Sequence, residues 1–366
     1  MADRQFRVVM HHDTWVSIDP VRGCPYSCAY CVLRHAGTTG VRPEQMVSPK
    51  ECVNTLLAYP FFHRGITDLA IGNETDMFHK LNVGYLISLL DELNANGINN
   101  RIALITKAPL DDEVLMRIRT IAGLRVIFFL SYSGLPQHFE PNFSQEQLQE
   151  NFHLAKKHGF PVIHFWRPLM AENTTVQAIQ RMLGFVSAIA DASVFVGLKL
   201  NPELNRVLSE GGVVQIPSEL NGEYGEWLSG DVIERIYGIA NDLCPDYPLY
   251  RHTSCALACV SRWANRTGTA FRADICPQSH CPAAQRRVCE AALKIPAHNV
   301  ILAALKKLGR DIEYCRHQDR VTIVSDLTQE EFSFLLSCLK CPIQAARVRM
   351  QGVYRGDIFE GQKFVI

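Results

Sequence analysis

Between residues 14 and 242, short β-branched apolar runs alternate with longer amphipathic stretches. The runs that predict strands are WVSID (15–19), TDLAIG (67–72), RIALIT (101–106), LRVIFFLS (124–131), PVIHFW (161–166) and SVFVGLKL (193–200). The stretches 82–97 and 144–159 place apolar residues at helical spacing. The second opens on Ser144, whose hydroxyl can cap the free amides of a first turn, carries glutamate in that turn and closes on Gly159. Strands that are apolar on both faces and separated by helices predict a parallel sheet covered on both sides. Six such units, roughly thirty residues apart, fit an α/β fold of the partial (β/α)6 TIM-type barrel kind. An open doubly wound sheet fits the same periodicity.

After residue 243 the texture changes. Cysteine, proline and arginine crowd 244–289 with little helical or strand periodicity. The tail then predicts a helix over 297–308, a strand or strand pair over 312–325, a helix opening at TQEE (328–340), and strands over 346–366. This divides the chain into a barrel (1–242), a Cys/Arg-rich extension (243–296) and a small C-terminal α+β appendage (297–366). No internal repeat or low-complexity linker interrupts it.

Composition narrows the classes. The 366 residues are 47% hydrophobic and 20% charged, and 37 basic residues balance 37 acidic ones. A zero net charge supplies no overall field toward nucleic acid or anionic lipid. The start MADRQFRVVMHHD lacks the apolar run of a signal peptide, and no window approaches about eighteen consecutive apolar residues. A cytoplasmic location without membrane contact is expected. Thirteen cysteines in a reducing compartment point to metal or redox chemistry rather than disulfides.

RGCPYSCAYC (22–31) holds Cys24, Cys28 and Cys31 at C-x3-C-x2-C spacing, and the next cysteine is Cys52. Four thiolates would close a tetrahedral zinc site. Three on an iron–sulfur cubane leave one iron without a protein ligand, free to bind a small molecule. A zinc loop completed by a distant residue is the alternative. Tyr30, just before the last cysteine, would shield a cluster from water.

CPYSCAYC following WVSID resembles the signature of the radical S-adenosyl-L-methionine (SAM) enzymes, over roughly residues 14–242. The resemblance implies a 4Fe-4S cluster on Cys24, Cys28 and Cys31 whose open iron binds the amino and carboxylate groups of SAM. Reductive cleavage of the sulfonium then yields a 5′-deoxyadenosyl radical that abstracts hydrogen from substrate. It also implies an external electron donor of flavodoxin or ferredoxin type.

Barrel sites lie at the carboxy-terminal ends of strands. GNETDMF (72–78) follows the second strand and resembles the family segment that meets the SAM amino group. Gly72 admits close backbone approach, and Asn73, Glu74 and Asp76 offer acceptors to an ammonium; a plain turn with an exposed aspartate would look similar. Lys107, after Thr106 in ITKAP, could pair with the SAM carboxylate or face solvent. Ser131 and Ser133 end the fourth strand, Arg167 follows the fifth, and Lys199 and Asn201 end the sixth. Arg167 needs a partner to be placed there, either an anion or a structural salt bridge.

Within the superfamily the short first strand, the TD after strand two and the TK ending strand three are most similar to the spore photoproduct lyase-like group. One departure matters. With Asp76 laid on the lyase aspartate, the thiol that serves there as hydrogen donor falls on Asn73, and an amide cannot donate a hydrogen atom as a thiol does. A related reaction on another nucleotide-like or small substrate is therefore expected.

SCALAC and CPQSHCPAAQRRVC bring five more cysteines within 35 residues: Cys255, Cys259, Cys276, Cys281 and Cys289, with His252 and His280 among them. A second iron–sulfur cluster, a structural zinc or unligated thiols would each account for them, and Cys255, Cys276, Cys281 and Cys289 form the candidate ligand set. Cys52, Cys315, Cys338 and Cys341 sit in apolar contexts and are expected to be core thiols. Between 251 and 289, six arginines against the single acid Asp274, with Trp263 and Phe271 interleaved, suit phosphates and stacked bases. Neutral net charge argues against tight binding to a long duplex.

Three functions remain. The first is radical SAM chemistry on a nucleotide-like or small substrate. The second is peptide modification supported by an auxiliary cluster. The third is a non-catalytic iron–sulfur or zinc protein, which would need neither an open iron nor the GNETD mouth.

Overall fold

The computed structural model describes residues 7–12, 14–200, 202–210, 225–265, 276 and 280–349. In chain order it runs β1 (Val9–His11), β2 (Val16–Ile18), β3 (Val21–Arg22), β4 (Glu44–Gln45), α1 (Pro49–Ala58), β5 (Leu69–Ile71) and α2 (Val83–Ala95). Then come β6 (Arg101–Thr106), α3 (Asp112–Thr120), β7 (Arg125–Ser131), α4 (Gln145–Lys157), β8 (Val162–Leu169), α5 (Val176–Ile189) and β9 (Ala192–Leu200). It continues with α6 (Pro202–Glu210), β10 (Gly225–Trp227), α7 (Gly230–Leu243), β11 (Leu249–Tyr250), α8 (Thr253–Ser261) and α9 (Ala283–Ala291).

The strands β2, β5, β6, β7, β8 and β9 lie side by side, parallel, in that order. β1 pairs antiparallel with β2 at one edge. The other edge of β9 is shared, with β11 parallel beside Ser193–Val194 and β10 antiparallel beside Leu198–Leu200. This is a mixed α/β fold around a mainly parallel sheet.

Alternation along each strand divides the core in two. Ile102, Leu104, Val126, Phe128, Val162 and Trp166 pack outward against apolar stripes such as Leu86, Leu90 and Leu93 of α2 and Leu148, Phe152 and Ala155 of α4. Ala103, Ile105, Ile127, Phe129, Ile163 and Phe165 face the other way and share a core with Cys255, Ala256 and Leu257 of α8. Burial on both faces is why these strands read as continuous apolar runs. The expected Ser144 cap is present, accepting from the Gln147 amide at 3.2 Å.

The extension carries more regular structure than its texture predicts. α8 (TSCALACVS) is made of small residues, with Ser254 through Ala258 all buried. Without a polar face it leaves no amphipathic signature. It lies on the inner face of the sheet near the amino-terminal rim. Thr253 meets Thr14, just before β2, hydroxyl to hydroxyl at 2.6 Å. Beyond its end, Trp263 stacks under the guanidinium of Arg101, the first residue of β6, at 3.9 Å.

Residues 298–349 have their own core. Helices His298–Lys306 and Gln329–Leu339 pack with strands Val321–Ile323 and Ile343–Ala345 through Ile301, Leu305, Val321, Phe332 and Leu336. The TQEE start is a capping box in which Thr328 and Glu331 satisfy each other's amides. Val348–Arg349 pairs in parallel with Leu327–Thr328, and the rest of the strands expected over 346–366 lies outside the described residues. Cys52 and Cys341 are buried and Cys338 half-buried, but Cys315 is exposed. It stands on a three-residue strand at the edge of its sheet, where it and its neighbour Arg316 both meet solvent.

Candidate functional site

The loop bearing Cys24, Cys28 and Cys31 leaves the carboxy-terminal end of β2 and is pinned at its root by the β3–β4 hairpin. The Cys24 amide donates to Thr38 O at 2.8 Å and the Val41 amide to Cys24 O at 3.1 Å, closing the loop on itself. Gly23 turns the chain at φ 92°, where an added Cβ would come within 3.0 Å of Val41 and 3.2 Å of the Arg42 carbonyl. Arg34 donates from its guanidinium to the carbonyls of Ser27 and Cys28, both at 3.0 Å. The Ala29 amide reaches Phe139 O at 2.9 Å.

Cys28 is buried, Cys24 and Cys31 half-buried. Burial pushes the Cys24 thiol up to about 12 and the Cys28 thiol up to about 11. Thiols so desolvated ionise when a bound metal supplies positive charge. Among the described residues, no three His, Cys, Asp or Glu side chains converge as the ligands of one ion would.

The mouth beside this loop is tied together by carboxylates. Asp76 Oδ1 accepts from the Thr106 hydroxyl at 2.8 Å and the Phe78 amide at 3.0 Å; Oδ2 accepts from the Lys107 and Ala108 amides at 2.9 and 3.0 Å. Asp76 is therefore buried and fully engaged, joining the ends of β5 and β6. The acceptor expected to meet an ammonium is thus engaged by the chain's own donors. Asn73 and Glu74 sit on the turn that Gly72 begins at φ 91°. Their amides donate to Asp19 Oδ1 at 2.8 and 3.2 Å. Asn73 Nδ2 is buried with no hydrogen-bond partner among the described residues. Burial, followed by the charge of Glu74, raises Asp19 to about 7. Thr75 ties this turn to the cluster loop through a 2.7 Å bond to the Gly23 carbonyl.

Lys107 does not face solvent. Its ammonium bonds Glu140 and the Tyr30 hydroxyl, and that hydroxyl also donates to Glu140. Ser133 donates to the other oxygen of Glu140 at 2.7 Å. Glu140 is buried, so Tyr30 is fixed beside Cys31 by a charge network. Ser131 is buried at the end of β7. Arg167 is exposed at the end of β8, its guanidinium 3.8 Å above the Phe165 ring. Lys199 faces Glu226 at 3.9 Å, and Arg251 pairs with the same carboxylate at 2.8 Å. Asn201, Phe271 and Asp274 lie outside the described residues.

Sequence reasoning passed over Asp19, Arg34, Thr75 and Glu140. Only Asp19 carried a signal: an acidic residue directly after an apolar strand, at the end where barrel sites form. Glu140 comes from an irregular segment with no periodicity. The base-stacking reading of Trp263 meets a competitor, because Arg101 and Lys340 already cover its ring, at 3.9 and 5.0 Å.

The structure draws the second cysteine group together from four places. Cys255 and Cys259 lie on α8, Cys289 on α9, and Cys276 and Cys281 on the chain between. Cys259 and Cys281 each neighbour Cys289, and Cys276 does so too.

No family model matches this sequence, and no curated protein does. The fold is similar to solved structures. Spore photoproduct lyase complexed with dinucleoside spore photoproduct aligns over 69% of this chain and 80% of the lyase, with TM-score 0.53 and 14% identity. A mutant form of that lyase, with bound AdoMet and the same dinucleoside, aligns to the same extent. A radical SAM methyltransferase from Sphaerobacter thermophilus aligns over 66% of this chain and 68% of its own, with TM-score 0.48 and 13% identity. At these identities the likeness is one of fold.

Proposed function

We propose that this chain is a radical SAM enzyme built on a partial (β/α)6 barrel. The observation that carries the reading is the three-thiol loop at the carboxy-terminal end of β2, held by Thr75 against a turn with an orphaned amide donor. Cys24, Cys28 and Cys31 would hold a 4Fe-4S cluster with one iron open. Together, cluster and SAM supply one-electron cleavage of the sulfonium to a 5′-deoxyadenosyl radical. The protein's part is to bind and orient. Glu74 and the Asn73 side chain would meet the amino and carboxylate ends of SAM, Gly72 lets backbone approach, and Tyr30 covers the cluster from water. Lys107 acts through Tyr30, because Glu140 already holds its charge. Arg167 and Ser131, on the neighbouring strands β8 and β7, would meet an anionic part of SAM or substrate.

A nucleotide-like or other small substrate suits the likeness to a lyase solved with a dinucleoside. Asn73 in place of a thiol directs the reaction away from that lyase's own. An external donor of flavodoxin or ferredoxin type and a cytoplasmic setting belong to this reading. Among the described residues no helix is long and apolar enough to cross a membrane. The test is anaerobic reconstitution with iron and sulfide, then dithionite and SAM. The wild type should form 5′-deoxyadenosine and the Cys28→Ala protein none. Absence of the nucleoside from wild type under every reductant, or its formation by Cys28→Ala, overturns the proposal.

A further inference from the structure

We infer that Cys255, Cys276, Cys281 and Cys289 hold a second iron–sulfur cluster, set beneath the amino-terminal rim of the sheet, away from the Cys24 loop. Four features of the pocket support it. Thiols from two helices and the intervening chain meet there although the sequence separates them by up to 34 positions. Polar groups are aimed at sulfur. Asn265 donates from Nδ2 to Cys255 Sγ at 3.0 Å and from its backbone amide to Cys289 Sγ at 3.4 Å. Gln285 Nε2 lies 3.5 Å from Cys289 Sγ, and the Tyr250 hydroxyl 3.7 Å from Cys281 Sγ. Donors converging on sulfur stabilise thiolates and set the potential of cluster-bound cysteines, whereas buried core thiols need none.

The surroundings suit an anionic centre. Arg286 anchors to the Cys281 carbonyl at 3.2 Å, and His280, next to Cys281, keeps a buried Nε2 with no hydrogen-bond partner among the described residues. Cys259 shares the pocket, and the Tyr250 hydroxyl engages its sulfur as it does that of Cys281; it is a fifth thiol at the same place.

Position assigns the role. α8 spans the inner face near the start of the strands, while the Cys24 loop leaves their far end. β6 to β9 run six to nine residues, and at ~3.3 Å per residue this separates the two groups by on the order of 20 Å. The second cluster therefore cross-links α8 and α9 to the barrel rather than touching SAM or substrate. Metal affinity becomes folding stability in such a site.

The decisive protein is the Cys24→Ala/Cys28→Ala/Cys31→Ala variant, which keeps the second pocket whole and cannot report on the SAM reading. Reconstituted without oxygen, it should retain about four irons and four sulfides per chain, with a paramagnetic signal after dithionite. Zinc without iron, or no metal, overturns the inference. Asn265→Ala in the same background keeps every thiol and should lower the cluster's reduction potential by removing the Nδ2 donor to Cys255. An unchanged potential would also count against the site. Cys255→Ser/Cys289→Ser, made in the otherwise wild-type chain, should lose about half the iron and melt at lower temperature; full iron content in that variant overturns it.

Discussion

The cysteines of 24–31 and those of 255–289 are organised in opposite ways. The first three lie within eight residues on one loop, and the backbone that carries them is clamped from outside by Thr75, Phe139 and Arg34. The second group is dispersed over two helices and a connecting segment, and the contacts run to the sulfurs themselves, from Asn265, Gln285 and Tyr250. The first group is held mainly through its backbone, with the amides of Tyr26 and Asp76 alone among the named contacts reaching a sulfur, that of Cys24. The second is held mainly through side chains that reach the sulfurs from other parts of the chain.

That contrast can be broken by disturbing one frame and reading both metals. The largest expected effect is Asp76→Asn. An amide would turn its NH2 group toward the Lys107 and Ala108 amides, leaving buried donors unpaired at a cost of about 3 kcal/mol. Chemical denaturation should show the loss, and iron at the Cys24 loop should fall while the second pocket keeps its own. Equal loss at both would mean the two groups are not independently framed. Gly23→Ala is next, costing about 1–3 kcal/mol for a side chain at positive φ against Val41 and the Arg42 carbonyl. Iron at the first loop should again drop, measured as iron per chain in a Cys255→Ser/Cys289→Ser background that leaves only that loop's iron to count.

The mildest effect is a pH slope. Asp19 titrates near 7 in the folded chain against 3.8 for the ordinary carboxyl, chiefly through burial. Between those values the native state binds the extra proton, so stability from Asp19 is present below about 4 and is lost as pH rises toward 7. The slope is at most ~1.4 kcal/mol per pH unit. Urea titrations across this window should flatten in Asp19→Asn, and an unchanged slope would show that Asp19 ionises normally.

The six parallel strands, of which β6 to β9 run six to nine residues, were legible because both their faces are buried, giving uninterrupted runs such as RIALIT that need no knowledge of partners. The Cys24 loop was legible for a related reason: its chemistry sits in consecutive residues. What escaped was whatever depends on a distant contact. α8 hid because a helix buried on most sides has no polar stripe. Glu140 hid because its meaning comes from Lys107 and Tyr30, 33 and 110 positions away. Asp76 was noticed as an acceptor, yet its four donors make it a tie between strand ends, which spacing cannot reveal.

The placement of α8 has one more consequence. With this helix laid across the inner face, its first residue bonded to Thr14, the start of the sheet is covered on that side. Loosening α8 would therefore be felt along neighbouring strands at once, from Ala70 through Ala103 and Ile127 to Ile163 and Val194, because all of them share its core.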